Sequence, residues 1–104
     1  MLAGSIPSEL GMCSGLVEVD LSRNSLRGTI PETLSSLASL NSFNLSRNQI
    51  TGSIPEAMQL LKLSSIDFSN NQVSGSVPQE LLRIAGDRAF HANPELCKQK
   101  YMHS

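Results

Sequence analysis

The sequence has very few aromatic residues, little charge and no long apolar run. Aromatic side chains make up 4% of its 104 residues, tryptophan is absent, and eight Lys and Arg nearly balance nine Asp and Glu. A net charge of −1 with scattered basic residues offers no patch for nucleic acid or for an anionic membrane. No apolar stretch reaches the roughly 18 residues of a membrane span, and the start of the chain lacks the basic and apolar segments of a signal peptide.

Signatures of catalysis and of metal binding are also missing. His91 and His103 have no partner at a metal-ligand spacing, and the acidic residues are spread singly along the chain. No P-loop, HExxH, kinase glycine loop or serine-triad motif occurs. We therefore expect no enzymatic activity, no metal site and no cofactor in this chain.

The chain does contain one pattern repeated three times. Residues 16–31 read LVEVDLSRNSLRGTIP, residues 40–55 read LNSFNLSRNQITGSIP, and residues 63–78 read LSSIDFSNNQVSGSVP. The offsets are 24 and 23 residues, and part of a further copy opens the chain at residues 2–7. A fixed period in this range is typical of a solenoid, in which repeats stack and together present an extended binding surface.

Each repeat combines a short strand, an Asn turn and an apolar convex segment. Phe43-Asn44-Leu45 alternates with the period of a strand. The following Asn can bond both backbone N–H and C=O groups at the bend. The pattern predicts a right-handed α/β solenoid, with a parallel sheet on the concave side and 3₁₀ or short helical segments on the convex side. Repeated positions predict an Asn ladder of Asn24, Asn48 and Asn71, and convex core residues at Leu34, Leu37, Met58, Leu61 and Leu81.

The pattern LxxLxLxxNxLxGxIP resembles the plant-type leucine-rich repeat, and its GxIP segment occurs at residues 4–7, 28–31 and 52–55, with GSVP at 75–78. After residue 82 the repeat pattern stops, and residues 89–97, AFHANPELC, resemble the segment that closes the ectodomains of plant leucine-rich-repeat receptor kinases. Residues 82–87 resemble the peptide-hormone receptor branch. We divide the chain into a partial repeat at 1–15, three repeats at 16–86, and a cap with its tail at 87–104, where Phe90 and Leu96 cover the last apolar layer.

The resemblance implies a fragment of a receptor-like kinase ectodomain on the extracellular side of the plasma membrane. Such a fragment would bind a peptide ligand or a co-receptor ectodomain, and the serine/threonine kinase of the parent would lie outside this chain. Two alternatives stay open: a leucine-rich-repeat receptor-like or secreted recognition protein without a kinase, and a non-functional truncated product. Because Met1 falls inside a repeat, we expect a piece of a longer protein or a truncated gene model.

Polar residues between the core positions of each strand are expected to face the concave surface and to bind the ligand. The same residue types are common filler in this family, so a purely scaffolding role is the alternative. The candidates are Glu18, Asp20, Ser22 and Arg23 in the first repeat, Ser42, Asn44, Ser46 and Arg47 in the second, and Ser65, Asp67, Ser69 and Asn70 in the third.

Arg23 and Arg47 occupy equivalent positions in adjacent repeats, about 4.8 Å apart if the strands stack. Two guanidinium groups so placed can bind one carboxylate, or they can remain solvated surface charges. Some peptide receptors of the family hold a peptide C-terminus with an Arg-x-Arg strand, which this chain lacks.

Asn44-Leu45-Ser46 is the one Asn-x-Ser/Thr glycosylation sequon in the sequence. A glycan on Asn44 would cover the concave surface.

Cys13 and Cys97 are more than three repeats apart, on the order of 15 Å and beyond disulfide reach. We expect Cys13 to be buried as a small apolar residue. Many family caps pair the Cys at position 97 with a downstream partner; none follows here, so it is free, intermolecular or orphaned by truncation.

Overall fold

The structure, a computed structural model, describes residues 2–97 as a stack of repeats. Each full repeat adds a strand to a first sheet, a strand to a second sheet, and a convex helical segment. The strands are β1 (Ala3–Ser5), β2 (Glu18–Asp20), β3 (Ser25–Gly28), β4 (Ser42–Asn44), β5 (Gln49–Ser53), β6 (Ser65–Asp67), β7 (Gln72–Ser76) and β8 (Leu96–Cys97). The 3₁₀ helices are Ser8–Met12, Glu32–Ser36, Glu56–Leu60 and Asp87–Phe90, and the α-helix α1 is Gln79–Ala85. The predicted solenoid is confirmed.

The first sheet is the predicted concave sheet, with the parallel order β2-β4-β6. Its register pairs Val19 with Phe43 and Phe43 with Ile66. All three of these side chains are buried. Because successive side chains of a strand point to opposite faces, the residues on either side of them are left on the outer, concave face.

A second parallel sheet, which the repeat pattern did not predict, has the order β1-β3-β5-β7-β8. Its strands contribute the buried residues Leu26, Ile50, Val73 and Leu96 to the core. The glycine of GxIP lies within this sheet. Gly52 has a φ of +79°, and a Cβ added there would lie 2.7 Å from Thr29 Cγ2. Only glycine meets both demands, the left-handed backbone and the close approach of the neighbouring repeat.

The convex segments close the core on its third side. The predicted residues Leu34, Leu37, Met58, Leu61 and Leu81 are all buried. Each 3₁₀ helix of the first three repeats begins directly after the proline of GxIP, whose fixed φ suits a helix start. No helix within residues 2–97 is both long enough and apolar enough to cross a membrane.

The prediction that Cys13 is buried is wrong, because its thiol is exposed. Cys13 is equivalent in sequence to Leu37 and Leu61, which are buried. Those two residues are covered by convex segments on both sides. Cys13 follows Ser8–Met12, the first convex segment described, which packs against Glu32–Ser36 on one side only. The side chain of Cys97, and His103, lie outside the described part of the chain.

Asparagines at equivalent positions bond the turns of successive repeats together. Asn48 Nδ2 donates to the carbonyl oxygens of Leu21, Leu45 and Ser46 at 2.9, 3.0 and 3.2 Å. Its Oδ1 accepts from the Leu26 N–H at 3.0 Å. Asn71 makes the same four bonds one repeat later, and Asn24 makes three. Each asparagine thus joins its own turn to backbone groups of the preceding repeat.

The cap contains a further rung of this ladder that sequence reasoning missed. Asn93 Nδ2 donates to the Phe68 carbonyl at 2.9 Å, and its Oδ1 accepts from the Val73 N–H at 3.1 Å. The Phe68 N–H bonds the Ala89 carbonyl at 2.7 Å. Residues 89–93 therefore reproduce the turn of residues 67–71, so the repeated turn continues into the cap.

Three phenylalanine rings link the cap to the repeats. Phe68 stands edge-on to Phe43 at 5.7 Å between ring centroids and to Phe90 at 5.9 Å. As predicted, Phe90 and Leu96 are buried and cover the last apolar layer. The cap is therefore part of the same core as the repeats.

Candidate functional site

The concave face of the first sheet carries two rows of polar side chains. The strand register places Glu18, Ser42 and Ser65 in one row and Asp20, Asn44 and Asp67 in the next. Glu18, Asp20 and Ser65 are exposed and the other three are half-buried. Neighbours within a row are one strand apart, about 4.8 Å. Six of the predicted binding residues therefore share one surface.

The row of Asp20, Asn44 and Asp67 also shapes the turn that follows each strand. Asp20 Oδ1 accepts from the Ser22 hydroxyl at 2.7 Å and the Ser22 N–H at 3.0 Å. Asp67 bonds Ser69 in the same way, at 2.7 and 2.9 Å. The Ser22 hydroxyl, then its N–H, lower the pKa of the Asp20 carboxyl below its ordinary value. These carboxylates thus combine a structural bond with a charge on the concave face.

The row of serines is less accessible than the strand alternation predicted. Ser46 is only 8% exposed, and Ser22 and Ser69 are half-buried with their hydroxyls bonded to Asp20 and Asp67. The alternation ends with the strand, because the chain bends into the Asn turn immediately afterwards. His91 follows in the same row, since the Asn70 N–H bonds its carbonyl at 2.9 Å, and it is exposed.

Arg23, Arg47 and Asn70 lie on the turn and not on the sheet. Their φ angles are 57°, 60° and 59°, in the left-handed region, and Ala92 of the cap has the same conformation at 59°. The Arg23 N–H bonds the Ser46 carbonyl at 2.9 Å, and the Arg47 N–H bonds the Ser69 carbonyl at 3.0 Å. All three side chains are exposed. They form an edge where the chain passes from the first sheet to the second.

Asn44, the glycosylation candidate, lies on the central strand of the concave sheet. Its Oδ1 accepts from the Ser46 N–H at 2.9 Å, and its side chain is half-buried. A glycan attached to Nδ2 would stand between Asp20 and Asp67. Glycosylation at this position stays a prediction, and it would compete with ligand for the same surface.

A groove of about 540 Å³ lies away from this sheet, beside the GxIP segments, and its lining includes Glu32, Glu56, Gln59 and Gln79. None of the predicted concave residues lines it. A ligand of the concave sheet would therefore be held by an extended surface and not within this groove.

These features define a leucine-rich-repeat solenoid with a polar concave sheet. Residues 14–75 match the family model described as leucine rich repeat. The chain belongs to the leucine-rich repeat family. No curated protein matches the chain.

The chain is similar to solved structures of plant receptor kinases and their ectodomains, in line with the cap resemblance. A chain of the BIR3–SERK2 complex from Arabidopsis thaliana matches with a TM-score of 0.84 and 40% identity, over 91% of this chain and 51% of that one. The HAESA ectodomain from Arabidopsis, in complex with an N-terminally extended IDA peptide hormone, matches with a TM-score of 0.85 and 40% identity over 91% of this chain. Pollen Receptor Kinase 3 matches with a TM-score of 0.79 and 32% identity over 91% of this chain.

This chain is much shorter than the receptor chains it matches. It spans about half of the matched chain in the BIR3–SERK2 complex, 47% of the Pollen Receptor Kinase 3 chain and 16% of the HAESA chain. It also spans 52% of the BIR2 ectodomain.

Proposed function

We propose that this chain is a protein- or peptide-binding module of a receptor-like kinase ectodomain, on the extracellular side of the plasma membrane. Its concave sheet binds a peptide ligand or a co-receptor ectodomain. The observation that carries the proposal is the alignment of Asp20, Asn44 and Asp67, with Glu18 and Ser65 beside them, across three stacked strands. HAESA was solved with a peptide hormone and BIR3 with SERK2, which supports both kinds of partner.

The physical basis of binding is a surface that is ordered before the ligand arrives. The strands of the concave sheet are fixed by buried Val19, Phe43 and Ile66 on the opposite face. Asp20 and Asp67 are further oriented by their bonds to Ser22 and Ser69. Side chains held in place in this way lose little conformational freedom on binding, so more of the contact energy appears as affinity.

In this proposal the chain recognises a partner and performs no chemical step. The concave rows offer carboxylates, an amide and hydroxyls, which orient a ligand through hydrogen bonds and charge. In the proposed parent, catalysis belongs to a kinase domain elsewhere in the polypeptide.

A matched pair of lysine substitutions tests the proposed surface. Ser65 on β6 and Gln72 on β7 are both exposed strand residues, one on the concave sheet and one on the second sheet. S65K places a long cation in the proposed site, and Q72K adds the same charge outside it. With purified SERK2 ectodomain and IDA peptide as probes, S65K is expected to weaken binding of the recognised probe about tenfold, a change of about 1.4 kcal/mol. Q72K is expected to leave the affinity unchanged.

The dissociation constants are measured by isothermal titration calorimetry on the 104-residue chain and the two variants. An equal loss in both variants would contradict the proposed surface. So would the failure of both probes to bind the unmodified chain.

A further inference from the structure

Three exposed arginines lie close together beside the concave sheet. Arg23 and Arg47 are on successive Asn turns, and Arg27 is on β3 of the second sheet. Arg27 was not among the predicted site residues, because it belongs to the unpredicted second sheet. We call these three residues the arginine edge.

The backbone fixes the spacing within the arginine edge. The bond from the Arg23 N–H to the Ser46 carbonyl stacks the turns of Arg23 and Arg47 at strand spacing, about 4.8 Å. Arg27 pairs in register with Gln49, which is two residues beyond Arg47. Since two residues span at most about 7 Å and paired strands are about 4.8 Å apart, the Arg27 backbone lies within about 12 Å of the Arg47 backbone. Three long side chains anchored this closely can reach a common ligand.

The arginines of the edge are not held in ion pairs by other side chains within residues 2–97. Within residues 2–97, the side chains of Arg23, Arg27 and Arg47 make no ion pair, whereas Arg83 is held by Glu80 at 2.8 Å. The nearest carboxylate in sequence, Asp20, directs one oxygen to Ser22. The planar guanidinium fork matches a carboxylate, so three unpaired forks favour a ligand with more than one carboxylate.

The edge ends after the second repeat. Asn70 and Ala92 occupy the positions equivalent to Arg23 and Arg47 in the next repeat and in the cap, with the same left-handed backbone. Within residues 2–97 the arginine edge therefore covers the first two full repeats. A partner recognised here would be oriented along the solenoid, with its anionic part toward the N-terminal side.

We propose that the arginine edge binds an acidic peptide segment of the partner whose main contact is the concave sheet. Carboxylates at alternate positions of an extended peptide are about 6.6 Å apart, within the span of the three anchors. This inference rests on the proposed function and adds the chemistry of the partner at one rim of the site. The proposed site combines arginines from two Asn turns and one strand of the second sheet. It therefore differs from an Arg-x-Arg pair within one concave strand.

The test is an NMR titration of the 104-residue chain with two short peptides. The probes are acetylated Glu-Ser-Glu-Ser-Glu amide and its counterpart with glutamine in place of glutamate. At low ionic strength, where the screening length is about 30 Å, the acidic peptide is expected to shift the Nε–H signals of Arg23, Arg27 and Arg47. The glutamine peptide is expected to leave these signals in place.

Matched double variants distinguish binding at the arginine edge from a general effect of the net charge of the chain. R23Q/R47Q removes two charges from the edge, and K62Q/R83Q removes two charges elsewhere. R23Q/R47Q is expected to weaken binding of the acidic peptide about tenfold and the control less than twofold. R23K/R47K keeps both positive charges but lacks the planar guanidinium groups. Its affinity for the acidic peptide should therefore lie between those of R23Q/R47Q and K62Q/R83Q. Since the three edge side chains make no ion pair within residues 2–97, thermal melts of R23Q/R47Q should match the unmodified chain.

Three results would overturn the proposal: no shift of the arginine signals, equal losses in R23Q/R47Q and K62Q/R83Q, or an equal response to sodium sulfate at the same anion concentration. The last result would reveal a general anion patch without preference for peptide carboxylates. The proposed function is tested independently of the arginine edge, by the effect of S65K on binding of the SERK2 ectodomain and the IDA peptide.

Discussion

Asn48→Ala is expected to lower the free energy of unfolding by about 3 kcal/mol. The side chain is 8% exposed and makes four bonds to backbone groups. Alanine leaves the Leu26 N–H without its acceptor, and an orphaned buried donor costs about 1–3 kcal/mol. A chain of this length has a stability on the order of 5–15 kcal/mol, so the loss is a large part of the total.

The expected loss is not four times the cost of one unmet group, because the carbonyls that Asn48 bonds have second partners. Leu21 O also accepts from Asn24, Leu45 O also accepts from Asn71, and Ser46 O also accepts from the Arg23 N–H. These carbonyls become under-satisfied but not orphaned, which is less costly than an unpaired N–H.

Asn24→Ala is the matched control for Asn48→Ala. Asn24 is half-buried and makes three bonds, one of them to the exposed Leu2. We expect this variant to lose about 1 kcal/mol, measured by urea unfolding followed by circular dichroism. An Asn48→Ala loss no larger than that of Asn24→Ala would contradict the structural role of the buried asparagines.

Phe68→Ala is expected to cost about 3–5 kcal/mol, the range for removing a large aromatic side chain from a core. Phe68 is 1% exposed and lies between the rings of Phe43 and Phe90. The substitution removes both edge-on ring contacts and opens a cavity between the last full repeat and the cap. Chemical denaturation measures the total loss, and hydrogen exchange of residues 87–97 should rise more than that of residues 16–31.

Phe68→Leu is the control for this second experiment. Leu21 and Leu45 occupy the equivalent positions in the preceding repeats, so leucine suits the backbone and the core at this site. The expected cost is about 1 kcal/mol. If Phe68→Ala and Phe68→Leu unfolded with the same free energy, or if exchange in the cap did not change, the cap would not depend on the phenylalanine stack.

The concave sheet could be predicted because its signal is strong and repeated. Phe43 between polar neighbours, followed by Asn48, recurs at nearly constant spacing, so the strand, the turn and the core positions follow from the period. The second sheet could not be predicted in the same way. Its strand at 49–53 holds one buried apolar residue, Ile50, before a glycine, which is too short an alternation to indicate a strand. It forms because stacked repeats bring these segments side by side.

Three features at or near the candidate site differ from the prediction, each for a physical reason. The strand alternation predicts an exposed Ser46, but β4 ends at Asn44 and the following turn buries Ser46. The sequence does not mark Asn93 as a further rung of the Asn ladder, because residues 89–93 lack the leucines of the repeat pattern. Arg27 belongs to a strand that was not predicted. The burial of Ser46 comes from its own turn, whereas the Asn93 bonds and the Arg27 strand arise from contacts between repeats that the pattern of one repeat does not show.

Amide chemical-shift mapping is the most direct measurement of whether partners bind the concave sheet. The 104-residue chain, labelled with nitrogen-15, is titrated with IDA peptide and with the SERK2 ectodomain. We expect the largest shifts in Glu18–Asp20, Ser42–Asn44 and Ser65–Asp67, with smaller changes in Gln49–Ser53 and Gln72–Ser76. Shifts confined to the second sheet or to the convex segments would contradict it.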